Sequence, residues 1–117
     1  MLQNANELLH AGETAVLVFT KGQHLELDWA GGESATGWWR MSAARNPDKV
    51  IVYKSNPLRT GGEIYIGDYV GKRQRELDGR FNIYFRHVQF VGECNVSWSE
   101  FANKGKMLQS PVRYLSI

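Results

Sequence analysis

Two runs decide what this chain can fold into. The first is Glu63-Ile64-Tyr65-Ile66-Gly67-Asp68-Tyr69-Val70-Gly71. The second follows a polar turn from Arg73 to Gly79 and reads Arg80-Phe81-Asn82-Ile83-Tyr84-Phe85-Arg86-His87-Val88-Gln89-Phe90-Val91. In the first, Ile64, Ile66 and Val70 alternate with Tyr65 and Tyr69, the period-2 spacing of a strand with two distinct faces. In the second, Phe81, Ile83 and Phe85 share one parity, whereas Val88 and Phe90 take the other. A one-residue change of parity sends side chains to the opposite face, so a bulge or bend is expected at Arg86-His87.

Working outward, Glu13 to Thr20 and Val50 to Tyr53 are compact apolar runs that read as strands buried on both faces. Leu25, Leu27 and Trp29 alternate with Glu26 and Asp28, as in a half-buried strand. Ala30 to Gly37 is rich in Gly and Ser and reads as a loop, and Asn46-Pro47-Asp48 as a turn. Asn4 or Asn6 caps a short helix ending before Gly12. Ser97-Trp98-Ser99-Glu100 fits a capping box for a second helix running through Phe101 to Gly105, and Val112 to Ile117 forms a last strand. At 117 residues the chain reads as one domain, 1–117. Five or six strands with two or three short helices predict an α+β fold, a small barrel with helices capping its ends.

Charge is unevenly spread. The net of +2 divides into −4 over residues 1–39, +5 over 40–86 and +1 over 87–117. A basic middle points mildly to an anionic partner, and a solvated strand face explains it as well. One cysteine, Cys94, forms no internal disulfide and fits a reducing compartment. No apolar run reaches the roughly 18 residues of a membrane span, and the N-terminus lacks a signal-peptide pattern. A soluble, cytoplasmic protein with no membrane partner is expected.

Enzyme signatures are weak. His10, His24 and His87 have no spacing that matches a known metal-ligand pattern, so neither metal nor cofactor is expected. Cys94, near His87 in sequence, reads as a small buried thiol rather than a nucleophile. Gly31-Gly32 and Gly61-Gly62 lack the spacing of a phosphate-binding loop, and no G-x-S-x-G elbow occurs. No catalytic residue is assigned.

What remains is a concentration of rings and positive charge between residues 38 and 73. Trp38 and Trp39 follow the Gly-rich segment, and in an extended chain adjacent residues point to opposite faces. One of the two is expected to project into a pocket or onto the surface. Aromatic faces stack bases, and nearby Arg and Lys neutralise phosphates. The same rings also serve as ordinary core.

Pro47 to Asn56, with Tyr53-Lys54-Ser55 closing a buried strand, resembles the segment of EVE domains in which Gly-Asp precedes a strand ending in Tyr-His-Ser. Gly62 to Val70, Arg80 to Phe101 and Gln109 to Leu115 are similar to the segments that follow in that family, so the resemblance covers roughly residues 38–117. EVE domains belong to the PUA-like group with YTH, ASCH and SRA domains. The resemblance implies a twisted PUA-like β-barrel that binds DNA or RNA, often through a modified base flipped into an aromatic pocket. It places Trp38 or Trp39 and Tyr53 in the pocket wall and makes Ser55 and Asn56 polar contacts. Arg40, Lys54, Arg59, Lys72 and Arg73 then meet the phosphates. Lys54 stands where the family has His, and the pattern of amidohydrolase ASCH domains is absent. Two alternatives stay open: a barrel binding a protein or small ligand, and a hydrolase of modified nucleosides using Lys54, Glu63 or His87.

Overall fold

The computed structural model describes residues 2–103 and 110–117. Seven strands form one mixed sheet: β1 (Thr14–Thr20), β2 (Leu25–Glu26), β3 (Ser34–Trp39), β4 (Lys49–Ser55), β5 (Gly62–Gln74), β6 (Phe81–Cys94) and β7 (Val112–Ser116). Their order is β2-β3-β6-β5-β4-β1-β7. β1 and β4 pair in parallel, with Val16 opposite Val50 and Val18 opposite Val52, while the other strand pairs are antiparallel among the described residues. Both central strands of this pair are apolar at consecutive positions because each packs core on two sides.

The expected barrel is corrected. β2 and β7 are the two ends of the sheet and do not pair with each other, so the sheet stays open. Among the described residues there are seven strands rather than five or six, and the helices are one 3-10 turn at Ala5–Leu8 and α1 (Trp98–Asn103). The extra strand comes from the Ala30–Gly37 segment, whose second half forms β3 against β6, with Ala35 opposite Tyr84. Its Ser and Thr residues disguise a buried strand. Ser34 Oγ accepts the Asp28 N–H (2.9 Å), and Thr36 Oγ1 accepts the Trp39 indole N–H (3.3 Å). Polar side chains satisfied in this way can be buried at little cost. The end of the second helix, expected at Gly105, lies outside the described residues.

Alternation along the strands divides the core in two. One cluster contains Leu17, Ile51, Tyr53 and Ile64 under the covering residues Ala5, Leu9, Trp98 and Phe101. The other contains Val16, Val18, Val50 and Val52 with Trp39, Ile83 and Phe85 from the opposite half of the sheet. That second cluster requires the sheet to curl, so that β3 and β6 fold back toward β1 and β4. Gly67 permits the close approach: a Cβ there would lie 2.6 Å from Phe85 Cδ2 and 2.9 Å from the Arg86 carbonyl. The parity switch expected at Arg86-His87 is present as one of several register shifts in the β5–β6 ladder, with His87 at φ +56°. α1 begins as its capping box requires, with the Glu100 N–H donating to Ser97 Oγ (3.3 Å).

Candidate nucleic-acid interface

The β5–β6 turn, the end of β3 and the Lys21–His24 loop meet at one end of the sheet. Trp39 pairs with Phe81, and Gln74 also stands opposite Phe81, so β3 and β5 flank the start of β6. The loop is tied to β3 where the Gly37 N–H donates to the His24 carbonyl (3.2 Å). Between these elements lies a cleft of about 310 Å³ lined by Lys21, His24, Trp38, Trp39 and Arg80, with no Asp or Glu among its described lining residues. His24 holds φ +54°, a backbone strain of the kind that collects at functional sites.

Trp38 is partly exposed, and the Arg75 guanidinium lies 4.5 Å from the centre of its ring. Arg75 is fixed by two bonds to the Asp78 carboxylate, both 2.9 Å. These bonds hold the Asp78 carboxyl well below the usual range and push Arg75 up. Arg80 Nε is buried without a hydrogen-bond acceptor, 3.6 Å from Asp78 Oδ2. Next to the cleft, Arg40 and Arg73 are exposed. Arg73 stands opposite Asn82, and because Ile83 and Phe85 point into the second core, Asn82, Tyr84 and Arg86 share the outward face with it.

The residues expected from sequence are thus divided between locations. Trp38, Trp39, Arg40 and Arg73 gather at this end. Trp39, however, is nearly buried in the second core. Tyr53 belongs to the first core on the opposite face of β4, with its hydroxyl donating to the Val96 carbonyl (2.7 Å), so it shares no pocket wall with Trp39. Burial, more than the neighbouring Cys94 thiol, pushes the Tyr53 phenol up. Asn56 Oδ1 accepts the Leu58 N–H (2.8 Å) to close a turn that follows Ser55. Lys54 faces Glu63 at 3.7 Å, and Arg59 pairs with Glu93 at 3.3 Å and donates to the Cys94 carbonyl. Lys72 donates to the carbonyls of Ser42 (2.7 Å) and Arg45 (2.5 Å), which anchors the segment after β3, and burial lowers its pKa. Lys21, His24, Arg75 and Arg80 carry no sequence signal for this site, because each sits in or next to a turn, outside the aromatic run at Trp38-Trp39.

A second polar site lies over β4, β5 and β6. Asp68 accepts from the Lys49 ammonium (2.5 Å) and contacts His87 Nδ1 (2.8 Å), and Glu13 is 4.0 Å from the same ammonium. With Glu7 and His10 these groups line a cleft of about 400 Å³. The Lys49 ammonium first, then the His87 ring, hold the Asp68 carboxyl below its ordinary value. A lowered folded-state pKa stabilises the fold above the unfolded value of about 3.9 and loses that stabilisation as pH falls through the lower folded value. Asp68→Asn is therefore expected to flatten the fall of stability below about pH 4 in urea titrations. An unchanged acid slope would show that the pair does not contribute. Cys94, by contrast, is buried, with its Sγ 3.5 Å from the Val96 carbonyl, and His87 pairs with Asp68 rather than with it. Among the described residues no group of three or more His, Cys, Asp or Glu is arranged to hold a metal ion. No described helix is long and apolar enough to cross a membrane.

Comparison with protein-family models, with curated proteins and with solved structures gives no match for this chain.

Proposed function

We propose that this protein binds DNA or RNA through the face that carries the Trp38 cleft. The observation that supports the reading is the cleft itself, where a partly exposed indole and two cations meet with no carboxylate among the described lining residues. An unpaired base stacks on Trp38, and Lys21 and Arg80 neutralise its phosphate. Arg40 and Arg73 follow the neighbouring backbone, with Tyr84 as a second ring on the outward face. Whether a modified base is preferred is an outcome of the test.

The test titrates labelled single-stranded and duplex oligonucleotides, with and without base modifications, at two salt concentrations. Trp38→Ala is expected to weaken single-strand binding about tenfold or more, because each stacked base contributes ~1–3 kcal/mol. Lys21→Gln and Arg73→Gln are each expected to reduce the slope of log affinity against log salt by about 0.7 for a single strand. Binding no stronger than that of a neutral control protein at low salt would sink the proposal.

A further inference from the structure

Trp29 and Phe90 have no part in the reading above, yet they form an exposed aromatic group of their own. Trp29 is 58% exposed and Phe90 is 50% exposed, an unusual display for two large rings in so small a protein. They are joined through Tyr65. The Trp29 and Tyr65 ring centres are 5.9 Å apart and those of Tyr65 and Phe90 are 5.5 Å apart, each pair tilted by 52°. Tyr65 and Phe90 stand opposite each other in the β5–β6 ladder. Trp29 sits in a turn fixed by Asp28, whose Oδ1 accepts the Ala30 N–H (3.0 Å).

Three features narrow the ligand. Rings inclined by this much offer no common plane to a flat base, whereas each ring face attracts a cation through its quadrupole. The segment that presents Trp29, from Leu25 to Gly37, contains Glu26, Asp28 and Glu33 and no Lys or Arg; Arg86 offsets Glu33 from 3.7 Å, and the net acidic charge that is left disfavours phosphate there. Glu63 Oε1 accepts the Tyr65 hydroxyl (3.2 Å), which sets a carboxylate at the edge of the central ring. Lys54 neutralises part of that carboxylate from 3.7 Å. An ordinary ammonium is strongly hydrated and gains little from exposed rings, while an alkylated one has an apolar surface and a diffuse charge that suit both.

We infer that the exposed rings of Trp29 and Phe90, braced by the nearly buried Tyr65 between them, form a binding site for an alkylated ammonium cation, such as a trimethylammonium group. The site shares no residue with the Trp38 cleft and stands whether or not nucleic acid binds there. Choline is the probe, and 3,3-dimethylbutanol, the neutral compound of the same shape, is its control. The indole N–H resonance of Trp29, assigned by its loss in Trp29→Ala, is followed during titration at constant ionic strength. Choline is expected to shift it saturably, with an affinity about two- to fivefold above that of the neutral isostere, the gain from a cation over an exposed ring. Phe90→Ala keeps the Trp29 signal and is expected to weaken choline binding several-fold, and Glu63→Gln to weaken it less. Equal responses to choline and the alcohol would reduce the patch to an apolar surface and overturn the assignment, as would no response to either.

Discussion

Tyr53→Ala is expected to lower the stability of the fold by about 3–5 kcal/mol, the range for removing a large buried ring. Tyr53 is only 2% exposed, and its ring contacts three others: Phe19 at 5.7 Å, Trp98 at 5.8 Å and Phe101 at 5.5 Å between centres. These neighbours come from β1 and α1, so the ring ties the helix to the sheet. Tyr53→Phe keeps the packing and removes the bond to the Val96 carbonyl, at a cost of about 1 kcal/mol. Urea unfolding followed by circular dichroism measures both. The pair also bears on function. A pocket-wall Tyr53 predicts that Tyr53→Ala weakens oligonucleotide binding with little loss of stability, whereas Tyr53→Phe keeps the stacking face. A core Tyr53 predicts that binding is unchanged and that Tyr53→Ala acts by unfolding. The packing described here favours the second outcome.

The strands with clear alternation were legible in the sequence because a half-buried strand must alternate. Ile64, Tyr65 and Ile66 on β5 and Ile83 and Phe85 on β6 fall to the faces their spacing requires, and the break at His87 follows from the parity change alone. β3 was not legible, because burial of Ser34 and Thr36 depends on partners elsewhere, such as the Asp28 N–H and the Trp39 indole. Sheet closure is equally a property of the ends. The two-residue β2 and the five-residue β7 differ little in sequence from strands that pair on both sides, and only their places in the sheet order leave it open. The candidate site was half legible for the same reason. Neighbours in sequence, Trp38 to Arg40, were found together, whereas Lys21, Arg75 and Arg80 join them only through the curl of the sheet. Tyr53, one residue from Val52 in sequence, faces a different core from it, which no count of aromatic residues reveals.

Gly61→Ala is expected to destabilise the protein by about 3 kcal/mol or more, through two additive causes. Gly61 has φ +109°, a conformation that costs an L-residue ~1–2 kcal/mol. Beyond that strain, a Cβ at this position would collide with the Cys94 carbonyl and lie 2.9 Å from the Asn95 Cα. Both are backbone atoms at the end of β6, where Gly62 pairs with Cys94, so they can yield only by opening the β5–β6 ladder. Such overpacking adds ~1–3 kcal/mol. Gly12 separates the two causes. It has φ +86° with nothing within 4 Å of an added Cβ, so Gly12→Ala carries the strain alone and is expected to cost about 1 kcal/mol. Urea midpoints at constant m-value report both variants. If the two substitutions cost the same, the collision at Cys94 is relieved by a local shift, and the turn from Asn56 to Gly61 is looser than its Asn56 N–H to Gly61 carbonyl bond (3.0 Å) implies. If Gly61→Ala costs at least twice as much, the approach of the turn to the end of β6 is a fixed element of the fold.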